Sequence, residues 1–174
     1  MTFEIYSDIT NRSMTIASRA MRKVLQRKSS ILWAIFGWSV FFINALLLIP
    51  FDGEPFTLDV TTVTALLAEV MLLSVLLFQD RFIGMIARKN TLAGTKDYHI
   101  VFGEESYTVV TAATTSTFRY ELIDAMAESQ DYMILLMKKR FAQPLDKRTL
   151  TGGTVEECKR FLEEKTGKEF RRVK

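Results

Sequence analysis

The chain has 174 residues, of which 48% are hydrophobic. This share is ordinary for a globular protein, but the apolar residues are concentrated: 16 of the 19 residues from 31 to 49 and 14 of the 19 from 60 to 78 are apolar. One cysteine and one histidine exclude an internal disulfide and any zinc site that needs several Cys or His ligands. The two apolar runs argue against a wholly soluble protein.

Residues 1–28 predict a short strand and a basic amphipathic helix. Phe3 and Ile5 alternate with polar residues, which is typical of a strand, and Thr10 or Asn11 is expected to cap the helix that follows. The apolar side of this helix would contain Ile16, Ala17, Ala20, Met21, Val24 and Leu25. With six Lys and Arg against two acids, the region suits the membrane headgroups or a cytosolic domain. The alternative is that these bases only orient the protein in the membrane and are otherwise solvated.

Residues 29–90 predict a transmembrane hairpin with spans at 31–49 and 60–78 and an outside loop at 50–59. Nineteen residues of helix, at about 1.5 Å per residue, cross the hydrocarbon core. Residues 29–78 contain no base, whereas Lys and Arg flank both spans, so the positive-inside rule puts both termini in the cytoplasm. The length and position of the first span argue against a cleaved signal peptide. We therefore expect a multi-pass protein of the plasma membrane.

Glu69 is the one ionisable residue within the two spans. If the hairpin is symmetric about its loop, Ser39 and Trp38 are its expected hydrogen-bond partners, and Asn44 lies with small residues on the stripe of the first span that faces the second. Intramembrane acids are often functional. Three interpretations stay open: a protonated Glu69 that stabilises packing, a contact within a homo-oligomer, and proton or ion movement.

Residues 91–174 predict a small cytosolic α+β unit. The second membrane helix is expected to continue past residue 78 as an arm that ends near Gly94. Alternating hydrophobicity then predicts antiparallel strands, and Thr154 is expected to cap a final amphipathic helix that contains Cys158. The predicted strands lie near 98–102, 106–111, 115–120, 122–128, 132–138 and 141–145.

The order of these features resembles that of the YcxB-like family of bacterial membrane proteins. The resemblance rests on FEIY near the N-terminus, VFGEES, TFRYELIDAMAES with Tyr120 and Ile123, DYMILLMKK, AQPLDKR and a terminal FLEE helix. It implies a cytosolic domain of pleckstrin-homology-like (PH-like) fold carried on a hairpin in the bacterial inner (plasma) membrane. It supplies no catalytic residues.

The sequence offers no catalytic constellation and no cofactor or metal motif. His99 and Cys158 are not expected to form a dyad, and Gly152-Gly153 lacks the spacing of a phosphate-binding loop. Acids balance the bases of the C-terminal region, which argues against nucleic-acid binding. A basic cluster remains as a candidate site for anionic headgroups or a partner, with a solvated turn as the alternative: Lys138, Lys139, Arg140, Lys147 and Arg148.

These observations favour a non-enzymatic membrane-anchored module whose cytosolic domain binds a protein partner or lipid headgroups. An exposed strand edge is one way to accept a peptide. The alternative is an oligomeric transport or channel subunit that uses Glu69, since two spans per chain cannot enclose a pathway by themselves.

Overall fold

The structure, a computed structural model, describes residues 2–49, 58–137 and 141–173. Within these ranges the chain forms two four-stranded sheets and four α-helices. The helices are α1 Asn11–Val24, α2 Arg27–Leu47, α3 Val60–Lys89 and α4 Val155–Thr166. The strands are β1 Phe3–Asp8, β2 Asp97–Phe102, β3 Ser106–Thr111, β4 Thr115–Arg119, β5 Ala125–Glu128, β6 Tyr132–Met137, β7 Phe141–Asp146 and β8 Phe170–Arg172. Most of the predicted loop 50–59 lies outside the described residues.

The first sheet has the order β1-β2-β3-β4, and each pair of neighbours is antiparallel. Strand β1 pairs with β2 from Phe3 opposite Phe102 to Asp8 opposite Asp97. All three helices α1–α3 lie between these two strands in the chain. The predicted division of the chain at residues 28 and 90 therefore separates two strands that are hydrogen-bonded neighbours.

The second sheet has the order β7-β6-β5-β8, in which only β8 runs parallel to its neighbour. Its strands follow the predicted ranges, but β5 begins at Ala125 because a 3-10 turn occupies Tyr120–Leu122. The sequence analysis does not predict β8, which has three residues. Together the helices and sheets make the α+β architecture that the patterning predicts.

The main hydrophobic core lies between the two sheets and is closed by α4. Phe3, Ile100, Tyr107 and Leu135 are among its fully buried side chains, and Cys158 joins them from α4. Helix α4 begins with the predicted cap: Thr154 Oγ1 accepts a hydrogen bond from Glu157 N, while Glu157 Oε2 accepts one from Thr154 N at 2.8 Å. This reciprocal pair satisfies two N–H groups at the helix start.

A second core lies between α1 and the outer face of the second sheet. Ala17 and Ala20 of α1 pack against a cluster that includes Ile134 and Leu136 of β6. All six residues of β6 are buried, since one face of the strand meets the main core and the other meets α1. The continuous apolar sequence of β6 is typical of a strand covered on both faces.

Helices α2 and α3 are both long and apolar enough to cross a membrane. Helix α2 exposes large apolar side chains along its length, such as Leu32 and Trp33 at 67% and 69%. Helix α3 continues to Lys89, as predicted for the arm, and Phe78 interrupts it with non-helical angles, φ −112° and ψ 16°. The interruption falls at the last residue of the predicted second span.

Candidate functional site: the junction between the helical hairpin and the C-terminal domain

Helix α1 joins the helical hairpin to the folded domain, because it contacts α3 on one side and the second sheet on the other. An acid on α3, Asp80, is 8% exposed and lies at this contact. Arg22 donates from Nε to Asp80 Oδ1 at 2.8 Å and from Nη2 to Oδ2 at 2.6 Å, and Arg19 Nε lies 3.4 Å from Oδ2. Two-pronged Arg–carboxylate pairs fix orientation as well as distance, so this cluster holds α1 and α3 in one arrangement.

A glycine allows the same two helices to approach closely. A Cβ atom at Gly84 of α3 would lie 2.7 Å from Thr15 N and 2.9 Å from Met14 C. These are backbone atoms of α1, which cannot move aside without displacing the helix. Further along α3, Arg88 Nη1 lies 3.3 Å from Asn11 Oδ1 and closes the contact at the other end of α1.

A pocket of about 580 Å³ opens beside this junction, between α1, the β5–β6 turn and β8. Its charged lining consists of four bases and two acids: Arg12, Arg19, Lys147, Arg172, Glu128 and Asp131. Arg12 pairs with Asp131, and Lys147 pairs with Glu128. Arg172 is exposed and has no acidic partner among the described residues. The pocket therefore has an excess of positive charge.

Glu128 is the central acid of this region. Its two oxygens accept hydrogen bonds from Lys147 Nζ and Lys159 Nζ, both at 2.6 Å. Burial raises the pKa of Glu128, but the two lysines outweigh burial and bring the net pKa below its usual value. The cluster thus ties β5 to α4 and to the turn after β7.

Of the five bases predicted from the sequence as a binding cluster, the structure describes Lys147 and Arg148. Lys147 also donates to Ser129 O at 2.7 Å, and its side chain is only 14% exposed, so most of its bonding capacity is used within the protein. Arg148 pairs with Asp146 through Nε at 2.9 Å, while its side chain stays 67% exposed. Lys138, Lys139 and Arg140 lie outside the described residues.

Glu69 is half-buried on α3, and its Oε2 atom is enclosed without a hydrogen-bond partner in the described part of the chain. The expected bonds from Ser39 and Trp38 are absent among the described contacts. Ser39 is exposed, and the Trp38 ring packs against Phe41 and Phe42 of its own helix.

Helices α2 and α3 meet at a glycine of α2. Gly37 meets Leu76, where an added Cβ would lie 2.6 Å from Leu76 Cδ2. A hairpin symmetric about its loop would set Ser39 near Glu69, a pairing that the described hydrogen bonds do not include. Asn44, expected on the facing stripe, is exposed and donates to Val40 O of its own helix at 3.0 Å.

The two residues considered for nucleophilic chemistry do not meet. Cys158 is fully buried in the main core, and burial raises the pKa of its thiol to about 12. His99 points away from that core on β2, with Nε2 3.1 Å from Glu4 Oε2 and its ring stacked on Tyr6. Across the described residues, no group of three or more His, Cys, Asp or Glu side chains is arranged to hold a metal ion.

Sequence reasoning missed Asp80 and Arg172. Asp80 follows the second span and precedes Arg81, so it has the appearance of an ordinary flanking charge. The available signal was the spacing of Arg19 and Arg22, which lie three residues apart and therefore on one helix face. Arg172 belongs to the three-residue strand β8, which is too short for a periodic signal.

Comparisons with known proteins agree with the sequence motifs. No curated protein is significantly similar to the chain. Residues 102–162 match the family model described as YcxB-like protein, a range that runs from the last residue of β2 to Leu162 of α4. The resemblance of this segment to the YcxB-like family, which the sequence motifs indicate, is thereby confirmed.

Proposed function

We propose that the protein is a non-enzymatic, membrane-anchored binding module. In this proposal α2 and α3 cross the bacterial inner membrane, both termini are cytoplasmic, and the C-terminal domain binds a partner at the membrane surface. The observation that carries the proposal is the docking of α1 between α3 and the second sheet, with Asp80 bound by Arg22. Because of it, the domain keeps one orientation relative to the apolar helices.

The exposed surface of the hairpin supports insertion. Large apolar side chains of α2 and α3 stay exposed, including Phe36 at 61% and Met71 at 71%. A contiguous apolar surface of this kind is unfavourable in water and favourable in lipid. A helix buried in a soluble core would have these side chains covered, whereas the apolar windows of both helices are 0% buried.

The strand pairing supports a two-span topology. Because β1 precedes α2 and is hydrogen-bonded to β2, which follows α3, the chain enters and leaves the hairpin on the same side. Cleavage of α2 as a signal peptide would remove β1 from the sheet. The flanking bases then favour the cytoplasm for that side.

The sheet arrangement supports a PH-like domain. Such a domain requires two sheets and a closing C-terminal helix. The chain has a four-stranded antiparallel sheet, a second sheet that contains three antiparallel strands, and the closing helix α4. In this interpretation the membrane hairpin is an insertion between the first two strands of the domain.

The pocket beside α1 is the proposed binding site of the domain. Its four bases exceed its two acids, and Arg172 is exposed there without an acidic partner among the described residues. This lining fits a ligand that bears carboxylates. We propose that the ligand is an acidic segment of a protein partner. Carboxylate recognition by Arg is geometrically specific as well as favourable.

Cysteine labelling tests the membrane topology. The native Cys158 is buried and its thiol pKa is raised to about 12 by burial, so it gives little background. We expect an impermeant maleimide to label Gly53→Cys in intact cells, and Glu104→Cys, in the exposed β2–β3 turn, only after permeabilisation. Labelling of Glu104→Cys in intact cells would contradict the orientation, and recovery in the soluble fraction would contradict insertion.

A matched pair of arginine variants tests the binding site. Arg171 and Arg172 are neighbours on β8, but only Arg172 lines the pocket. With a fluorescent hexaglutamate peptide as probe, we expect Arg172→Gln to weaken binding about fivefold and Arg171→Gln to leave it unchanged. Equal weakening by the two substitutions would show that the peptide is attracted to the surface charge in general and not bound at the pocket. We use point variants because a chain that ends at Asn90 would lack the sheet on which α1 packs.

A second candidate is an oligomeric transport or channel subunit centred on Glu69. The observation in its favour is the enclosed Oε2 atom without a partner in the described chain. A second copy of the chain would be required to supply the remaining wall of any pathway.

A further inference from the structure

A second basic pocket lies where α1 turns into α2. Its volume is about 320 Å³, and it is lined by Arg22, Lys23, Arg27, Ser30 and Ile31. Three of these five side chains are cationic and one is a hydroxyl donor. The lining thus combines charge with hydrogen-bond donors, as phosphate recognition requires.

An acid bound to one of the lining residues supports this pocket. Asp80 accepts two hydrogen bonds from Arg22 and holds its guanidinium at the pocket wall. The hydrogen bond to Asp80 raises the pKa of Arg22 and outweighs the effect of burial, so the arginine stays charged. Asp80 itself is not part of the pocket lining, which contains three bases and no acid.

The start of α2 adds backbone donors to the same place. Ser30 N makes a helical hydrogen bond to Gln26 O at 2.8 Å, and the side chain of Gln26, the residue that precedes the helix, makes no capping hydrogen bond to it. The N–H groups of residues 27–29 precede that first helical bond. Such groups favour anions, and here they accompany a basic cavity rather than form a site by themselves.

The position of the pocket indicates its ligand. Ile31 begins the apolar run of α2, and the charged residues lie immediately before it. In a chain inserted as proposed above, this boundary lies at the depth of the lipid phosphates. We propose that the pocket binds the phosphate group of an anionic phospholipid. The inference rests on the membrane insertion in the proposed function, but not on the partner site at Arg172.

Two adjacent pairs of residues allow a matched test. Arg27 and Ser30 line the pocket, whereas Lys28 and Ser29 are exposed and do not. We compare Arg27→Gln/Ser30→Ala with Lys28→Gln/Ser29→Ala, each of which removes one positive charge and one hydroxyl. Full-length protein in detergent is titrated with phosphatidylglycerol or phosphatidylcholine, and bound lipid is counted by native mass spectrometry. Thermal unfolding of both variants reports whether they are folded.

We expect wild type and the Lys28/Ser29 variant to bind one phosphatidylglycerol in preference to phosphatidylcholine. The Arg27/Ser30 variant should bind it about tenfold more weakly. Equal weakening in both variants would show that the lipid is attracted by the general surface charge and not bound in the pocket, and would overturn the inference. Displacement of the lipid by glycerol 3-phosphate at equal concentration would assign the pocket to a soluble phosphate instead.

A single-residue comparison keeps the test decisive if the double variant unfolds. Ser30→Ala and Ser29→Ala retain all charges, and only the first should lower the affinity for phosphatidylglycerol. Equal affinities for these two variants would overturn the inference. Membrane recovery of wild type without a bound anionic lipid would also overturn it while leaving the proposed function intact. Failure of the chain to enter membranes would instead contradict the proposed function itself.

Discussion

Arg22 of α1 binds both carboxylate oxygens of Asp80 of α3, at 2.8 and 2.6 Å. This pair connects a helix that covers the second sheet to a helix that belongs to the apolar hairpin. The pair lies two residues after Phe78, where α3 departs from helical geometry. The ion pair thus holds the domain against α3 two residues after the end of the predicted second span.

Replacing Asp80 by Asn should loosen this docking. The change removes the charge that Arg22 and Arg19 share, and we expect a loss of about 1–3 kcal/mol in the free energy of unfolding. Hydrogen exchange should quicken in α1 but not in β3. Asp97→Asn is the matched control, because Asp97 is exposed and stands opposite Asp8 in the β1–β2 pair. Equal exchange in the two variants would contradict a clamp at Asp80.

Two helical glycines should respond differently to alanine. At Gly84 the new Cβ would meet the α1 backbone at 2.7 Å, whereas at Gly37 it would meet the end of the Leu76 side chain, which is able to rotate. We expect Gly84→Ala to lower stability by about 1–3 kcal/mol. Gly37→Ala should be near neutral, since better helix propensity offsets the small rearrangement. Thermal unfolding in detergent measures both, and equal shifts would contradict the close approach at Gly84.

Glu128 should make the domain sensitive to acid. Its net pKa lies below the usual 4.5 because Lys147 and Lys159 outweigh burial, so the carboxylate stabilises the fold above pH 4.5 and loses that effect as the pH falls through its folded-state pKa. We expect Glu128→Gln to cost about 1–2 kcal/mol at pH 7 and less near pH 3.

Denaturant unfolding at several pH values measures this difference. Glu164→Gln, at an exposed position of α4, controls for the general effect of removing an acid. A cost of Glu128→Gln that stays constant between pH 7 and pH 3 would show that the ion pairs with Lys147 and Lys159 do not stabilise the fold.

Much of this architecture could be predicted because its signals are local. Alternation or a short apolar run locates each strand from β2 to β7, a capping residue marks the start of α1, and two long apolar runs mark α2 and α3. The pairing of β1 with β2 has no local signal, since the two strands are separated by three helices and their pairing depends on tertiary contacts. The missing hydrogen bond between Ser39 and Glu69 also has no local signal, because the relative position of two packed helices depends on tertiary contacts such as that of Gly37 with Leu76.

Glu69 distinguishes the two candidate functions. Its Oε2 atom is enclosed and unpaired within the described chain, and an ionised carboxylate at mid-membrane costs about 2.5–3.5 kcal/mol on insertion scales. If Glu69 is an uncharged packing residue, Glu69→Gln will leave insertion and abundance unchanged, and Glu69→Leu will insert at least as well. Quantitative blotting of membrane fractions measures both, with Asn44→Leu as an exposed polar-to-apolar control. A clear loss of Glu69→Gln from the membrane would contradict the packing role.

Oligomeric state supplies the second readout for Glu69. A binding module should keep its oligomeric state and its affinity for hexaglutamate in Glu69→Leu, because the pocket lined by Arg172 lies in the domain. An assembly that needs Glu69 should instead dissociate in Glu69→Leu and persist in Asn44→Leu. Mass photometry of the detergent-solubilised chains distinguishes these results. Dissociation with unchanged peptide binding would show that Glu69 forms a contact within a homo-oligomer, which the transport alternative requires.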